Sequence, residues 1–228
     1  MVKICVSGSK GKMGSRILEL AKDDSSLEIS GQFDVDDDPA AFIGGPCDCL
    51  IEFTTPKATI EHLELCEKNK KAMVIGTTGL SDSEKERIEK ASKNIPILFS
   101  PNMSIGVNLL FEIVGEAAKV LGGEYHVSIV EAHHVEKKDA PSGTAKELAR
   151  IVKDRCGHAE VPIESIREDE IVGEHTITFE SDVDTIEITH SAKTRDIFVK
   201  GALAAAKFVS KKSSGLFSMQ EVLGSHKS

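Results

Sequence analysis

Between Glu131 and Ala145 the chain reads EAHHVEKKDAPSGTA, which gathers two adjacent histidines, two adjacent lysines and three acids into fifteen positions. The stretch closes on Pro141-Ser142-Gly143-Thr144, a pattern that opens helices. Imidazole and ammonium groups exchange protons, lysine adds positive charge, and a helix start offers backbone N–H groups without intrahelical partners. Side by side, these groups suit a small anionic substrate.

Three readings compete for these residues. In the first the charges are solvated and Pro141-Ser142 only starts a helix. In the second His133, His134 and Glu136 bind zinc in a hydrolase, but adjacent residues of a strand point to opposite faces, which makes the two histidines poor co-ligands. In the third, Gly143 and Thr144 offer N–H groups to a carboxylate while Ser142 and Thr144 supply hydroxyls. His134 and Lys137 then add positive charge, and His133 or Lys137 exchanges a proton. Only the third uses the whole cluster, and it calls for no metal.

The remainder of the chain must position this loop. Its 228 residues, 40% hydrophobic, suffice for one large or two modest domains with a real core. No run of about 18 apolar residues is present to span a membrane. MVKICVSGSKG leads into a strand-like segment and lacks the features of a secretory signal. Cys5, Cys47, Cys49, Cys66 and Cys156 are odd in number and lack paired spacing, so reduced, mostly buried thiols in a cytoplasmic protein are expected. A formal net charge of −9, with one tyrosine and no tryptophan, argues against nucleic-acid binding. Such a protein must bind anions through a local cationic cluster, working against its own field.

Residues 1 to about 103 alternate apolar strand patterns with helical ones: VKICVSG, a helix from about Met13 to Lys22, LEISGQFD, DCLIEFTT, KATIEHLELCEKNK and AMVIGTT. A capping box of Ser81 and Glu84 then opens the next helix, and PILFSPN closes the series. This alternation implies a parallel, doubly wound α/β sheet of the Rossmann type. After Asn102, IGVNLLFEIVGEAAKVLGG reads as a long amphipathic helix, HVSIVEAHH as a strand and TAKELARIVKDRCG as a helix. EHTITFES and DTIEITHSA alternate as an antiparallel pair joined by DV, and FVKGALAAAKFVSKK returns to helix. The expected domains are 1–103 with 196–228, binding a dinucleotide, and an inserted α+β domain over 104–195 for substrate and assembly.

VSGSKGKMG places Gly8, Gly11 and Gly14 between the first strand and the first helix, in the spacing G-x-x-G-x-x-G. Glycines allow a tight turn and let a pyrophosphate approach the N–H groups at the helix start. A plain strand-to-helix turn is the alternative. Asp34, twenty residues beyond Gly14, stands where an acid accepts ribose hydroxyls. Gly76 to Gly79 and Ser100 to Ser104 follow later strands and should face the same ligand.

Through these motifs the chain resembles the 4-hydroxy-tetrahydrodipicolinate (dihydrodipicolinate) reductase family. The resemblance rests on Glu-Ala-His-His, Lys137, Asp139 and Pro-Ser-Gly-Thr-Ala, and it extends, in order, over GSKGKMG, VIGTTG, NMSIGVN, GEHTITF, EITHSAKTR and SGLFSMQEVL. It implies reduction of a cyclic, imine-containing dicarboxylate by a reduced nicotinamide, with loss of water, in diaminopimelate and lysine biosynthesis. It also implies His133 as acid/base, Lys137 as catalytic lysine, and His134, Ser142, Gly143 and Thr144 as substrate contacts, with Arg195 in support. The dinucleotide would lie on Gly8, Ser9, Lys10, Gly11, Lys12, Met13, Asp34, Gly76, Thr77, Thr78, Ser100, Pro101, Asn102 and Met103.

Two departures stand out. The stretch from Asp34 to Cys49 is short beside many members, and Val35 stands where some carry an arginine. Asp34 and the acids that follow favour NADH over NADPH, with Lys10 and Lys12 as the counterweight. The family further implies a homotetramer joined through the inserted domain.

Overall fold

Short apolar runs become the strands of one sheet in the computed structural model, which describes residues 1–157 and 160–224. β1 (Val2–Ser7), β2 (Leu27–Phe33), β3 (Cys49–Glu52), β4 (Ala72–Ile75), β5 (Pro96–Phe99) and β10 (Gly215–Phe217) all pair in parallel. Their order is β10-β5-β4-β3-β1-β2. Alternation buries both faces, as a parallel sheet requires. Ile4, Val6, Ile51 and Val74 pack with Ile17, Ala202 and Val209 on one side. Cys5, Leu50, Met73 and Ile75 pack with Leu63, Ile88 and Ala91 on the other.

Gly11 precedes α1 (Lys12–Ala21) and makes no side-chain cap, Thr55 and Pro56 open α3 (Pro56–Asn69), and Ser81 with Glu84 forms the capping box of α4 (Asp82–Ser92). The chain leaves β1 toward β2 and returns to pair β3 on its other side, so the carboxyl end of β1 is the point where strand order reverses. α7 (Asp196–Val209) completes the layer over β1.

The second group consists of α5 (Ile105–Leu121), β6 (His126–His133), α6 (Gly143–Cys156), β7 (Ile163–Arg167), β8 (Glu174–Glu180) and β9 (Thr185–Ser191). Its sheet runs β7-β6-β8-β9, with β6 parallel to β7 and the other pairs antiparallel. Val127, Ile129, Ile177 and Phe179 form its core with Leu110, Val114, Leu148 and Val152. The chain divides into two compact units, Met1–Ile105 with Phe198–Ser228 and Gly106–Ile197.

Four strands and α-helices go beyond what the sequence patterns indicate: α2 (Pro39–Ile43), β7, β10 and α8 (Met219–Leu223). Each is five residues or fewer, too short for periodicity to register. No helix among the described residues is long and apolar enough to cross a membrane, and all five cysteines are free thiols.

Candidate active site

Alternation along β6 puts Val127, Ile129, Glu131 and His133 on one face. The first two join the core, and the row then turns ionisable. Glu131 has no exposed surface and His133 is 8% exposed. A carboxylate so placed needs donors, and four bonds supply them. Oε1 accepts from Ser142 N at 3.2 Å and from Arg167 Nη2 at 2.8 Å. Oε2 accepts from Arg167 Nη1 at 3.1 Å and from His133 Nδ1. Burial works to raise the Glu131 pKa, but the hydrogen bonds from Arg167 and His133 outweigh it and hold the group at about 2. Arg167 Nη2 also donates to the carbonyl of Asp139 at 2.6 Å, tying the loop to the same fork.

Because Nδ1 of His133 donates to Glu131, Nε2 is the nitrogen left for chemistry. Gly173 lies against it: a Cβ there would come within 3.0 Å of Nε2. Burial lowers the His133 pKa below the ordinary histidine value, more than the Glu131 bond raises it, and the nearby Lys137 and Arg167 charges lower it further. The resting ring is therefore neutral at pH 7, with a bare Nε2. His175 stands edge-on to it, ring centroids 5.2 Å apart. Burial, then the His133 neighbour, pushes His175 down to about 4. Its Nε2 is 3.2 Å from Ser142 Oγ, and its Nδ1 has no hydrogen-bond partner among the described residues.

The loop continues these constraints. Lys137 Nζ lies 2.8 and 2.9 Å from the two oxygens of Asp139, and the lysine's hydrogen bond lowers the Asp139 pKa. His134 lies beyond the strand end, where its N–H donates to Ile171 O at 2.7 Å and its Nε2 sits 3.2 Å from Arg195 Nη2. That His134 N–H bond, with the bond from Lys137 N to His134 O at 3.0 Å, folds the segment into a turn that separates the two histidines. His134 and Arg195 line a hollow of about 180 Å³ with Val135, Glu136, Asp169, Glu170 and Val172. At the start of α6 the Ser142 hydroxyl accepts from Ala145 N at 3.2 Å, so it works inward as a helix cap on a buried residue. Gly143 is exposed with open space beside it, and Thr144 is half-buried.

Within the first unit, the expected dinucleotide residues lie at the carboxyl ends of β1, β2, β4 and β5. Gly8 adopts φ +64°, and a Cβ on Gly14 would meet Gly8 O at 2.2 Å, so that turn tolerates no side chain. Ser9 N donates to Phe33 O at 3.1 Å, and Lys10 N donates to Asp34 Oδ2 at 2.8 Å. That Lys10 bond is the main cause of a lowered Asp34 pKa. Lys10 Nζ is 3.9 Å from Asp36, while Gly11 and Lys12 are exposed and Met13 is half-buried. Gly76 follows β4, Thr77 is buried with its hydroxyl 2.8 Å from Thr59 Oγ1, and Thr78 is exposed. Ser100 Oγ donates to Asn102 O at 2.7 Å, Pro101 is exposed, and the Met103 side chain lies in the core.

Sequence patterns single out none of Arg167, Gly173 and His175. Gly173 and His175 lie within GEHTITF, a segment that carries the resemblance, while Arg167 meets His133 only through the pairing of β7 with β6. Glu131, His133 and His175 offer ligand atoms within 4.8 Å of one another. A cation there would face the Arg167 guanidinium, which already neutralises Glu131, so this group does not fit a metal.

Known proteins are similar to this chain in sequence and fold. The models described as "Dihydrodipicolinate reductase, N-terminus" and "Dihydrodipicolinate reductase, C-terminus" match residues 2–103 and 106–223. A 4-hydroxy-tetrahydrodipicolinate reductase of Geotalea uraniireducens is 39% identical over 266 residues, covering 98% of this chain and 99% of the relative. One from Nitrosomonas eutropha is 40% identical, with 98% of each chain covered. Among solved structures, a dipicolinate-bound dihydrodipicolinate reductase from Paenisporosarcina sp. TG-14 superposes with a TM-score of 0.83 at 23% identity, over 97% of this chain and 98% of that one.

The buried histidine generates a test. Since His175 titrates near 4 when folded, against 6.5 ordinarily, the unfolded chain takes up its proton first as pH falls. Stability present at pH 7 is then lost between about 6.5 and 4, on the order of 2 kcal/mol by pH 5. Urea unfolding at pH 7 and pH 5 should show this loss, and His175→Asn should flatten it. An equal pH dependence in both proteins contradicts the assignment.

Proposed function

The chain belongs to the dihydrodipicolinate reductase family, and we propose that it carries out the reaction after which its relatives are named. The 4-hydroxyl leaves as water together with a proton from the neighbouring ring carbon, a reduced nicotinamide dinucleotide gives a hydride to C4 of the resulting conjugated ring, and one proton taken up by the ring completes tetrahydrodipicolinate, for diaminopimelate and lysine biosynthesis. The observation that carries this reading is His133, at the end of β6, whose Nδ1 is held by Glu131 so that Nε2 is left for chemistry, just before the loop that carries Lys137 and leads into α6.

Each unit has its part. The first binds the dinucleotide on its glycine loop, where Gly8 to Met13 receive the pyrophosphate and Asp34 the ribose. The second binds the dicarboxylate. Gly143 and Thr144, in the first turn of α6, meet one carboxylate, and the His134–Arg195 pair supplies charge for the ligand. Ser142 supports this contact from beneath by capping the helix. The hydride step leaves an enamine-like anion that needs a proton, and His133 and Lys137 supply it. Two arriving carboxylates favour the protonated imidazole, so the pKa that burial lowers in the resting site rises when substrate binds.

NADH is the favoured cofactor. A 2′-phosphate would meet Asp34, Asp36, Asp37 and Asp38, and Lys10 is turned toward Asp36. Catalytic efficiency with NADH should exceed that with NADPH, and the reverse order would show that Lys10 and Lys12 decide. We also infer a cytoplasmic homotetramer joined through the second unit, where Ile186 of β9 is 38% exposed. Light scattering should give four times the chain mass, and a stable monomer at micromolar concentration would sink the idea.

The chemistry is tested by following oxidation of the reduced cofactor, with the unstable substrate supplied by its synthase. Lys137→Ala and His133→Ala should each lower kcat by about 10²- to 10⁴-fold, the usual worth of a placed proton donor. Cofactor affinity, measured by calorimetry, should hardly change. His134→Ala should raise KM more than it lowers kcat. Near wild-type turnover in both the Lys137 and His133 variants would reduce the loop to an anion clamp.

A further inference from the structure

Beneath the glycine loop, the first unit buries a carboxylate and an imidazole that the reaction does not use. Glu52, at the end of β3, has no exposed surface, and His62 of α3 is 7% exposed. His62 Nδ1 lies 2.5 Å from Glu52 Oε2, and Ser7 Oγ lies 3.4 Å from the same nitrogen. Glu52 Oε1 accepts from Thr54 N at 2.8 Å and from Thr54 Oγ1 at 2.5 Å. A core gains more from apolar side chains than from such a polar pair, so its position calls for an explanation.

That position is the junction of the strand ends. Thr54 abuts the open side of Gly8, where a Cβ would meet Thr54 Cγ2 at 2.8 Å. The His62 ring stands edge-on to Phe33, centroids 5.1 Å apart, one residue before Asp34. Gly76 N donates to Glu52 O at 2.9 Å. The Phe53 ring crowds the Cα of Gly76, where a Cβ would come within 2.1 Å. The ends of β1, β2, β3 and β4 therefore rest on one buried network.

We propose that Glu52, His62 and Thr54 are positioning residues for the dinucleotide. The His62–Glu52–Thr54 chain of hydrogen bonds fixes Thr54 against Gly8 and so holds the phosphate-facing turn in its binding shape before the cofactor arrives. None of the three needs to touch the cofactor. The inference rests on the dinucleotide reading of the glycine loop.

The test is calorimetric titration of NADH into the full chain, with kcat and substrate KM at saturating NADH as companions. Thr54→Val keeps the methyl and removes the hydroxyl, and His62→Leu removes the ring donor. Each should raise the Kd for NADH by about tenfold, the scale of one lost hydrogen bond. The kcat and substrate KM should move less than about twofold, because the chemistry sits on the other unit. Thr54→Ser restores the hydroxyl, and His62→Asn offers an amide nitrogen in place of Nδ1. Both should bind NADH within about twofold of wild type. If wild type binds NADH and all four variants match it, the inference is overturned while the dinucleotide reading stands. Variants that lose kcat and substrate affinity as much as cofactor affinity also overturn it, since that pattern marks general damage. A wild-type chain that does not bind NADH removes the dinucleotide reading, and this inference with it.

Discussion

The second unit is organised around one buried carboxylate. Glu131 has no water to solvate it, so every lone pair it keeps charged must be met by the protein. The donors that meet it come from three places: the ring of His133 on the same strand, Arg167 at the end of β7, and the Ser142 backbone at the start of α6. Satisfying the charge therefore fixes the tautomer of the histidine, the edge of the sheet and the entry of the helix together. Through the Arg167 bond to Asp139 O, it also fixes the loop on which Lys137 is carried. Loss of one donor would leave the others facing an under-satisfied charge, which is why such networks fail as units.

This arrangement sets opposing influences on His133. Burial and two nearby cations favour the neutral ring, and the Glu131 bond favours the charged one, with burial prevailing in the resting state. A group balanced in this way responds to the charge of what binds. In the proposed reaction, a dianion beside Nε2 would tip it toward protonation, so that the substrate itself would load the proton that the reaction consumes. With a net charge of −9 on the chain, the anion binding proposed above relies on local donors such as the His134–Arg195 pair and the N-terminus of α6.

Much of this is legible in the sequence because it is local. Alternating apolar runs announce the parallel sheet, the glycine spacing announces the turn after β1, and Ser81 with Glu84 marks a helix start. The candidate proton-exchanging residues stand out in the sequence because they are near neighbours in the chain. What joins them does not. Arg167 stands 36 residues from Glu131, on a five-residue strand whose pairing with β6 no spacing announces. Ser142 shows a second limit. Its side chain is a recognisable cap, but only the fold reveals that its hydroxyl is directed inward and that its N–H serves Glu131. Glu52 and His62 look like ordinary members of DCLIEFTT and KATIEHLELCEKNK until the sheet brings them together.

The tautomer of the His133 imidazole is read directly by nitrogen-15 NMR of the histidine rings. With His133 assigned by its alanine variant, the ligand-free protein at about pH 7.5 should show Nδ1 protonated and Nε2 bare, as donation to Glu131 requires. A resting His133 that carries its proton on Nε2, or one whose nitrogens average between tautomers, would contradict the claim that Glu131 orients the proton donor.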